Sequence, residues 1–362
     1  MFALKKEFDA PGLTFRDDVA IPAIGPRDVL VAVTHAGICG TDRHIYEWDA
    51  WSRSRVPLGT TTGHEFVGRV VAVGGAVRRA NVGDRVSAEG HIGCGRCEFC
   101  RTGEGHVCDE VSIIGIDRDG CFAQYVAVPE ENVWPVHPSI PDRYAAILDP
   151  LGNAVHTAFA AGVSGKSVLV TGAGIIGLMA IDVARAAGAT RVFAVDINPR
   201  RLDDALSLGA DEVFDARDES WPSQVRKLTG GLGPHALLEM SGAPSAIRQG
   251  FAALRNGGTA AMLGIPSAPV AIDWARDVIF KGITIVGVNG RRMFDTWYKT
   301  ESLLLSGKLD LTPIVTHQFE LSQFEEGFRL MQSGEAVKVV LEIPQETPPS
   351  AAALNALAVV RR

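Results

Sequence analysis

Cys39 is followed 25 residues later by the adjacent pair His64-Glu65, so a thiolate, an imidazole and a carboxylate are available to a single cation. Zinc accepts all three donors, and a catalytic zinc takes three protein ligands while keeping a fourth position for water or substrate. The intervening Gly40-Thr41-Asp42-Arg43-His44 sets a hydroxyl two residues past the thiol and an imidazole three residues beyond it, a pair able to pass a proton. Taken alone, the three ligands also fit a buried core cysteine beside a buried His-Glu pair. A second cluster bears on that choice. Cys94, Cys97 and Cys100 recur with two residues between them, and Cys108 follows after seven more. Four thiolates from one loop close a tetrahedral site with no vacant position, the form of a structural zinc. An iron-sulfur cluster fits the count, but the last interval and the missing Cys-Pro differ from the ferredoxin run, and ligand type favours zinc. Cys121 is left over and is expected as a small buried hydrophobe.

Two further polar groups stand near these stretches. Glu89-Gly90-His91 lies between a short apolar run and the cysteine loop, and His91 is either a substrate-facing imidazole or a packing residue. In Asp149-Pro150-Leu151-Gly152-Asn153, the proline is expected to keep Asp149 out of a helix that starts after it. Asp149 is then an acid available to a site, or simply part of a turn or cap.

Nucleotide chemistry appears in the second half. The apolar run Ser167-Val-Leu-Val-Thr171 leads into Gly172-Ala-Gly174-Ile-Ile-Gly177, which opens an amphipathic helix. This is G-x-G-x-x-G in its required strand-to-helix setting. The first glycine permits the tight turn, the second lets backbone reach a pyrophosphate, and the third lets helix pack on strand. Asp196 ends the next apolar run, 19 residues past Gly177. Its carboxylate can accept both ribose hydroxyls of NAD and would repel the extra phosphate of NADP, although Arg201 nearby could accommodate one.

The elements that carry these residues fall into two kinds. Residues 1 to about 150 hold β-rich runs such as 29–33 and 66–73 between Gly and Pro turns, with His64-Glu65 at the mouth of one strand. From 167 onward strands alternate with helices. Pro199 to Leu208 is expected as a helix capped by Asn198, and further strands are expected at 235–240, 259–263 and 284–288. That alternation makes a doubly wound parallel sheet, whose carboxyl edge, at 241–242, 264–266 and 287–289, is where such sheets bind ligands. From about 298 helix and short strand return, ending at 339–343, and residues after Gln345 form an expected flexible tail.

Composition agrees with small-molecule work. A chain of 362 residues exceeds what one core serves, and 46% apolar with 21% charged residues is ordinary for a soluble protein. A net charge of -7 and the lack of any basic run argue against nucleic acid or anionic membrane as principal partner. Nothing reads as a signal peptide or membrane span, so a cytoplasmic location is expected, where six cysteines mean metal before disulfides. A cation with an open position beside a nicotinamide suits oxidation of an alcohol.

Over nearly all of residues 1 to 343 the chain resembles the zinc-dependent medium-chain dehydrogenases. The resemblance rests on the stretch from Cys39 to Trp51, Gly63-His-Glu-Phe-Val-Gly68, the run from Gly90 to Cys97, the run from Asp149 to Thr157, Met240-Ser-Gly-Ala-Pro244 and the run from Met293 to Lys299. The first and fourth of these are the narrow signals, shared with members that act on L-threonine. It implies a GroES-like mostly-β catalytic domain (1–153, completed by 298–344), a Rossmann NAD-binding domain (154–297) and a tail (345–362). It also implies oxidation of L-threonine to 2-amino-3-ketobutyrate with NAD, in a homotetramer. Catalytic zinc falls to Cys39, His64 and Glu65, structural zinc to Cys94, Cys97, Cys100 and Cys108, and the proton relay to Thr41 and His44. Asp149 matches an acid near the zinc, and His91 a residue that influences substrate choice. The cofactor falls to the glycines Gly172, Gly174 and Gly177 with Ile176, Asp196, Arg201, Leu263, Gly264, Ile265, Val288 and Asn289. Asn289 departs from an aromatic residue in many relatives, one residue is added near Arg276-Asp277, and the tail is longer. Rival readings are a polyol or sugar dehydrogenase of the same construction and, more distantly, a dinucleotide-binding protein without catalysis.

Overall fold

The computed structural model describes residues 1–345, and the expected tail (345–362), apart from Gln345, lies outside them. Two compact units divide the described residues, Met1–Asp149 with 315–345, and Pro150–Ile314. The bounds differ from those expected. Residues 298–314 fall in the nucleotide unit, where the Asp310 N–H donates to Asp182 Oδ2 at 2.8 Å.

In the first unit a seven-stranded sheet runs in the order 133–135, 85–88, 65–73, 28–37, 338–342, 315–320, with 125–129 also paired to 28–37. Val29, Val31, Val33, Phe66, Val70 and Val126 alternate into one core with Phe328 and Leu341, the two-residue period of half-buried strands. The central strand Asp28–Gly37 is thus bordered by residues 65–73 on one side and, from the far end of the chain, by Lys338–Glu342. At its end the backbone turns into the short helix Gly40–Glu47, with Cys39 as N-cap. Gly68 is required for the sheet to close, since a Cβ there would lie 2.2 Å from the Ala32 carbonyl oxygen.

The second unit carries a six-stranded parallel sheet in the order 212–215, 191–196, 167–171, 236–239, 259–262, 284–287. This is the doubly wound dinucleotide-binding order, reversing between 167–171 and 236–239. The edge strand Glu212–Asp215 is not among the expected strands; four residues long, with only Val213 and Phe214 apolar between two acids, it has no apolar run to betray it. Pro199–Ser207 is helical, and the Asn198 side chain accepts the Arg200 N–H as its cap. Among the described residues no helix is long and apolar enough to cross a membrane.

Asp149 is a correction. The helix spans Leu148–Ala161 and contains both Asp149 and Pro150. Proline is tolerated in a first turn, where its missing N–H would have had no helical partner.

Candidate active site

Cys39, at a helix N-terminus, and His64-Glu65, at a strand mouth, are brought together so that one ligand atom from each lies within 4.8 Å of the others. Gly63 makes this possible. Its φ of +89° is left-handed, and a Cβ would meet the Phe122 ring at 2.5 Å. His64, Glu65 and the nearby Asp42 are buried. His64 Nδ1, Glu65 Oε1 and Asp42 Oδ1 have no hydrogen-bond partner among the described residues, and orphaned polar atoms at this depth are costly. Asp42 ties the helix start to the site, since its Oδ2 accepts the Cys39 N–H at 2.9 Å while Oδ1 stands 3.7 Å from His64 Nδ1. Burial works against a charged His64, yet the Asp42 carboxylate and the Cys39 sulfur outweigh it and hold the imidazole well above its usual pKa. Burial also raises Glu65, against the pull of Lys338 and His64, with Asp149 adding to the rise. A soft sulfur, an imidazole and an acid in an electronegative, buried cluster fit a zinc ion, with Asp42 as the outer carboxylate that orients the histidine.

The remaining catalytic candidates occupy different positions. Thr41 Oγ1 lies 3.8 Å from Cys39 Sγ. His44 is exposed, on the same helix, and its Nδ1 is held by Asp49 Oδ2 at 2.7 Å, with the Trp51 ring edge-on. Asp49 also caps the next helix through the Ser52 N–H. Asp149 is nearly buried and its charge reaches Glu65. His91 Nδ1 is 2.9 Å from Glu89 Oε1, which also accepts the His91 N–H, and Gly90 beside it borders His64. Asp49 is not among the residues expected at the site, and Glu89 is expected only as part of a polar triplet with His91, not as the partner of its ring. The signal was present, an acid five residues after His44 and two before His91.

Cys94, Cys97, Cys100 and Cys108 form the second cluster, again with ligand atoms within 4.8 Å. The N–H groups of Cys94, Cys97 and Cys100 point at the sulfurs of Cys108, Cys94 and Cys97, at 3.4 to 3.5 Å. Such N–H groups favour thiolate. The Arg96 and Cys97 N–H groups lower Cys94 to about 7, while burial pushes Cys100 up to about 12. Gly93 leaves room, because a Cβ there would sit 2.8 Å from Cys100 Sγ. Cys121 is fully buried, with Sγ against the Glu65 carbonyl oxygen, and belongs to neither cluster.

In the second unit a cavity of about 580 Å³ is lined by Gly172, Gly174, Asp196, by Ser241 of the expected carboxyl edge and, in addition, by Met240 and Arg217. The three glycines separate by what a Cβ would meet. At Gly172, with φ +87°, it would strike Ser241 at 2.8 Å; at Gly177 it would strike the Gly172 carbonyl oxygen at 1.9 Å; at Gly174, the helix N-cap, it would meet nothing within 4 Å. The open glycine is the one from which helix N–H groups face outward, the geometry of an anion site. Asp196 accepts the Ala173 N–H at 2.7 Å and the Asn198 N–H at 2.8 Å, which fixes its carboxylate against the glycine turn. Ile176, Gly177, Arg201, Leu263, Gly264, Ile265, Val288 and Asn289 do not line this cavity. Arg201 is lowered by burial, and Ile265 is almost fully exposed. Gly264 packs on the 241–242 turn, and both are gathered by buried Glu239, which accepts the Ser241 and Gly242 N–H groups. A separate cavity of about 740 Å³ in the first unit, lined by residues such as Lys5, Arg16 and Arg118, contains none of the expected site residues.

Comparison with known proteins agrees with both halves. Residues 25–139 match the alcohol dehydrogenase GroES-like domain and residues 176–306 the zinc-binding dehydrogenase family. An L-threonine 3-dehydrogenase from Symbiobacterium thermophilum is 50% identical over 94% of this chain and 97% of its own, and one from Bacillus licheniformis 47% identical over 94% and 98%. Among solved structures, the alcohol dehydrogenase TADH from Thermus sp. ATN1 superimposes with a TM-score of 0.85 at 32% identity, covering 95% of this chain and 100% of that one. With half its residues shared across almost its whole length and both halves matched in order, the chain belongs to the zinc-dependent medium-chain dehydrogenases.

Proposed function

We propose that this enzyme oxidises the secondary hydroxyl of L-threonine to give L-2-amino-3-ketobutyrate, with NAD as acceptor and two zinc ions per chain. The observation that carries the chemistry is the convergence of Cys39, His64 and Glu65, the last two buried, with Glu65 Oε1 lacking a hydrogen-bond partner among the described residues. The substrate rests on relatives named L-threonine 3-dehydrogenase, 45 to 50% identical over 94% of the chain. Bound at these sites, zinc supplies a Lewis acid that polarises the hydroxyl, and NAD supplies the hydride acceptor.

The chain's own groups do the rest. Thr41 takes the hydroxyl proton and hands it to His44, whose Nδ1 is engaged by Asp49, leaving Nε2 to trade the proton with solvent. The proton leaves by this route while the C–H bond gives up its electron pair as hydride, and a ketone remains. Asp49 keeps the imidazole in one orientation. Asp149 adds negative charge beside Glu65, and Glu89 fixes the ring of His91 as a wall of the substrate site. Asp196, pinned by two backbone N–H groups, accepts from the adenosine ribose and opposes a 2′-phosphate, which makes NAD the acceptor. The four-cysteine cluster stabilises the 94–108 loop. The enzyme acts as a homotetramer, as its family resemblance implies, and works in the cytoplasm.

Substrate profiling tests the reading. Incubation with NAD and L-threonine should yield NADH and the aminoketone, identified chemically, while sorbitol, butanediol and glucose should be poor substrates. Preference for any of those three would replace the threonine assignment, and no turnover of any would leave a binding protein.

A further inference from the structure

Lys338 is 2% exposed, on the strand Lys338–Glu342, and its Nζ lies 2.5 Å from Glu65 Oε2, whose side chain is fully buried. The same ammonium donates to the Ile38 carbonyl oxygen at 2.7 Å, one residue before Cys39. Space for the pair is kept by Gly37, where a Cβ would come within 2.4 Å of Glu65 Oε2 and 3.0 Å of Lys338 Cε. Oε2 is thus held by the ion pair, without a further hydrogen bond, while Oε1 has neither an ion-pair contact nor a hydrogen-bond partner among the described residues.

A buried ion pair is poor evidence for a stabilising role, because desolvation consumes most of the attraction. Here a fixed positive charge also stands next to a carboxylate read as a ligand for a dication. The two cations repel, and both draw on the same anion. An ammonium in that position weakens the metal's hold, yet it leaves the carboxylate compensated and aimed when no metal is present. We propose that Lys338 is a positioning residue that acts as a resident counter-ion for Glu65, holding the carboxylate ready in the empty site and competing with the metal for its charge. The proposal rests on Cys39, His64 and Glu65 forming the metal site, and the test separates the two.

Cobalt(II) serves as the probe, added to full-length protein freed of metal, at pH 8. The wild type should show a binding step that disappears in Cys39→Ser. If no such step exists, the metal-site reading fails and this proposal with it. Given that step, Lys338→Met should melt several degrees below wild type without metal and recover most of that deficit once cobalt is bound. Its Cys39-dependent step should tighten by about tenfold or more, since removing a neighbouring positive charge at short range favours a dication. Lys338→Arg should restore both wild-type values. A lysine that only fills space would cost the same with and without cobalt, and an equal deficit together with an unchanged or weaker cobalt affinity overturns the proposal. Should Lys338→Met fold only when metal is supplied, cobalt loss to a chelator replaces the titration. Slower loss than wild type supports the counter-ion role, and equal or faster loss refutes it.

Discussion

The three glycines of the nucleotide turn make separable predictions from one kind of substitution. At Gly174 the backbone, φ -66° and ψ -176°, suits any residue, and an added Cβ meets nothing within 4 Å. Replacing Gly by Ala there narrows the unfolded chain's freedom and stabilises by about 0.4–1 kcal/mol. Alanine is a poorer N-cap than glycine by a comparable amount. The two nearly cancel, so Gly174→Ala should melt within about 4 °C of wild type, taking about 2–4 °C per kcal/mol for a unit of this size. The methyl nevertheless occupies the approach to the helix N–H groups, and NADH should bind at least about tenfold more weakly, roughly 1.4 kcal/mol. At Gly177 the same methyl would sit 1.9 Å from the Gly172 carbonyl oxygen, so turn and helix must part by more than 1 Å to reach ordinary contact. Overpacking of backbone on that scale costs about 3 kcal/mol or more, a drop of at least about 6 °C. Thermal melting without cofactor and fluorescence titration with NADH measure the two effects separately. A Gly174→Ala protein that binds NADH as well as wild type, or a Gly177→Ala protein that melts unchanged, would refute the assignment of roles.

Three other outcomes are expected. Thr41→Ala and His44→Ala should each lower kcat by about 10²–10⁴ with NADH affinity unchanged, and added imidazole should restore part of the rate to His44→Ala; full activity in both removes the relay. Asp182 is buried at 8% exposure, its Oδ2 accepting the Asp310 N–H at 2.8 Å, and burial pushes it from its ordinary 3.8 to about 7. The folded form keeps its proton where the unfolded chain has released it, so stability falls as pH rises from about 4 to 7, by up to about 4 kcal/mol at the top. Asp182→Asn keeps an acceptor for that N–H without the charge, so its melting temperature should exceed that of wild type by a margin that widens from pH 5 to pH 8, and a margin independent of pH would contradict this. Finally, Cys97→Ser should release one metal ion per chain by elemental analysis and expose the 94–108 loop to proteolysis, while retention of both ions would show that the cluster is not a metal site.

What could be read in advance was whatever the chain writes locally. The four-cysteine run, the Gly172 turn and the His64-Glu65 pair are each set by spacing within a few residues, and the doubly wound sheet follows from apolar runs at regular intervals. Groups that serve the site from a distance could not be read in this way. Lys338 approaches Ile38 across 300 residues of sequence, and nothing in Lys338-Val-Val-Leu-Glu342 distinguishes its lysine from one on a solvated strand end. Glu239 ends a strand like many acids, and only the folded turn shows it accepting from Ser241 and Gly242. Asp149 differs for another reason: the residue before a proline is disfavoured in a helix, but a proline in the first turn is tolerated, and local sequence does not tell the two apart.

The strand Lys338–Glu342 pairs with residues 35–37 at the other end of the sequence, with the entire 150–314 unit intervening. On the ribosome, then, the nucleotide unit is fully made before the amino-terminal sheet receives its last neighbour. Until that moment the edge at residues 35–37 has open backbone groups, and Glu65 lacks its ammonium. A truncated product ending before residue 338 would carry every expected zinc ligand and an intact nucleotide turn, yet present a raw sheet margin. Quality control that senses such margins would therefore remove unfinished chains that metal and cofactor alone could not tell from complete ones.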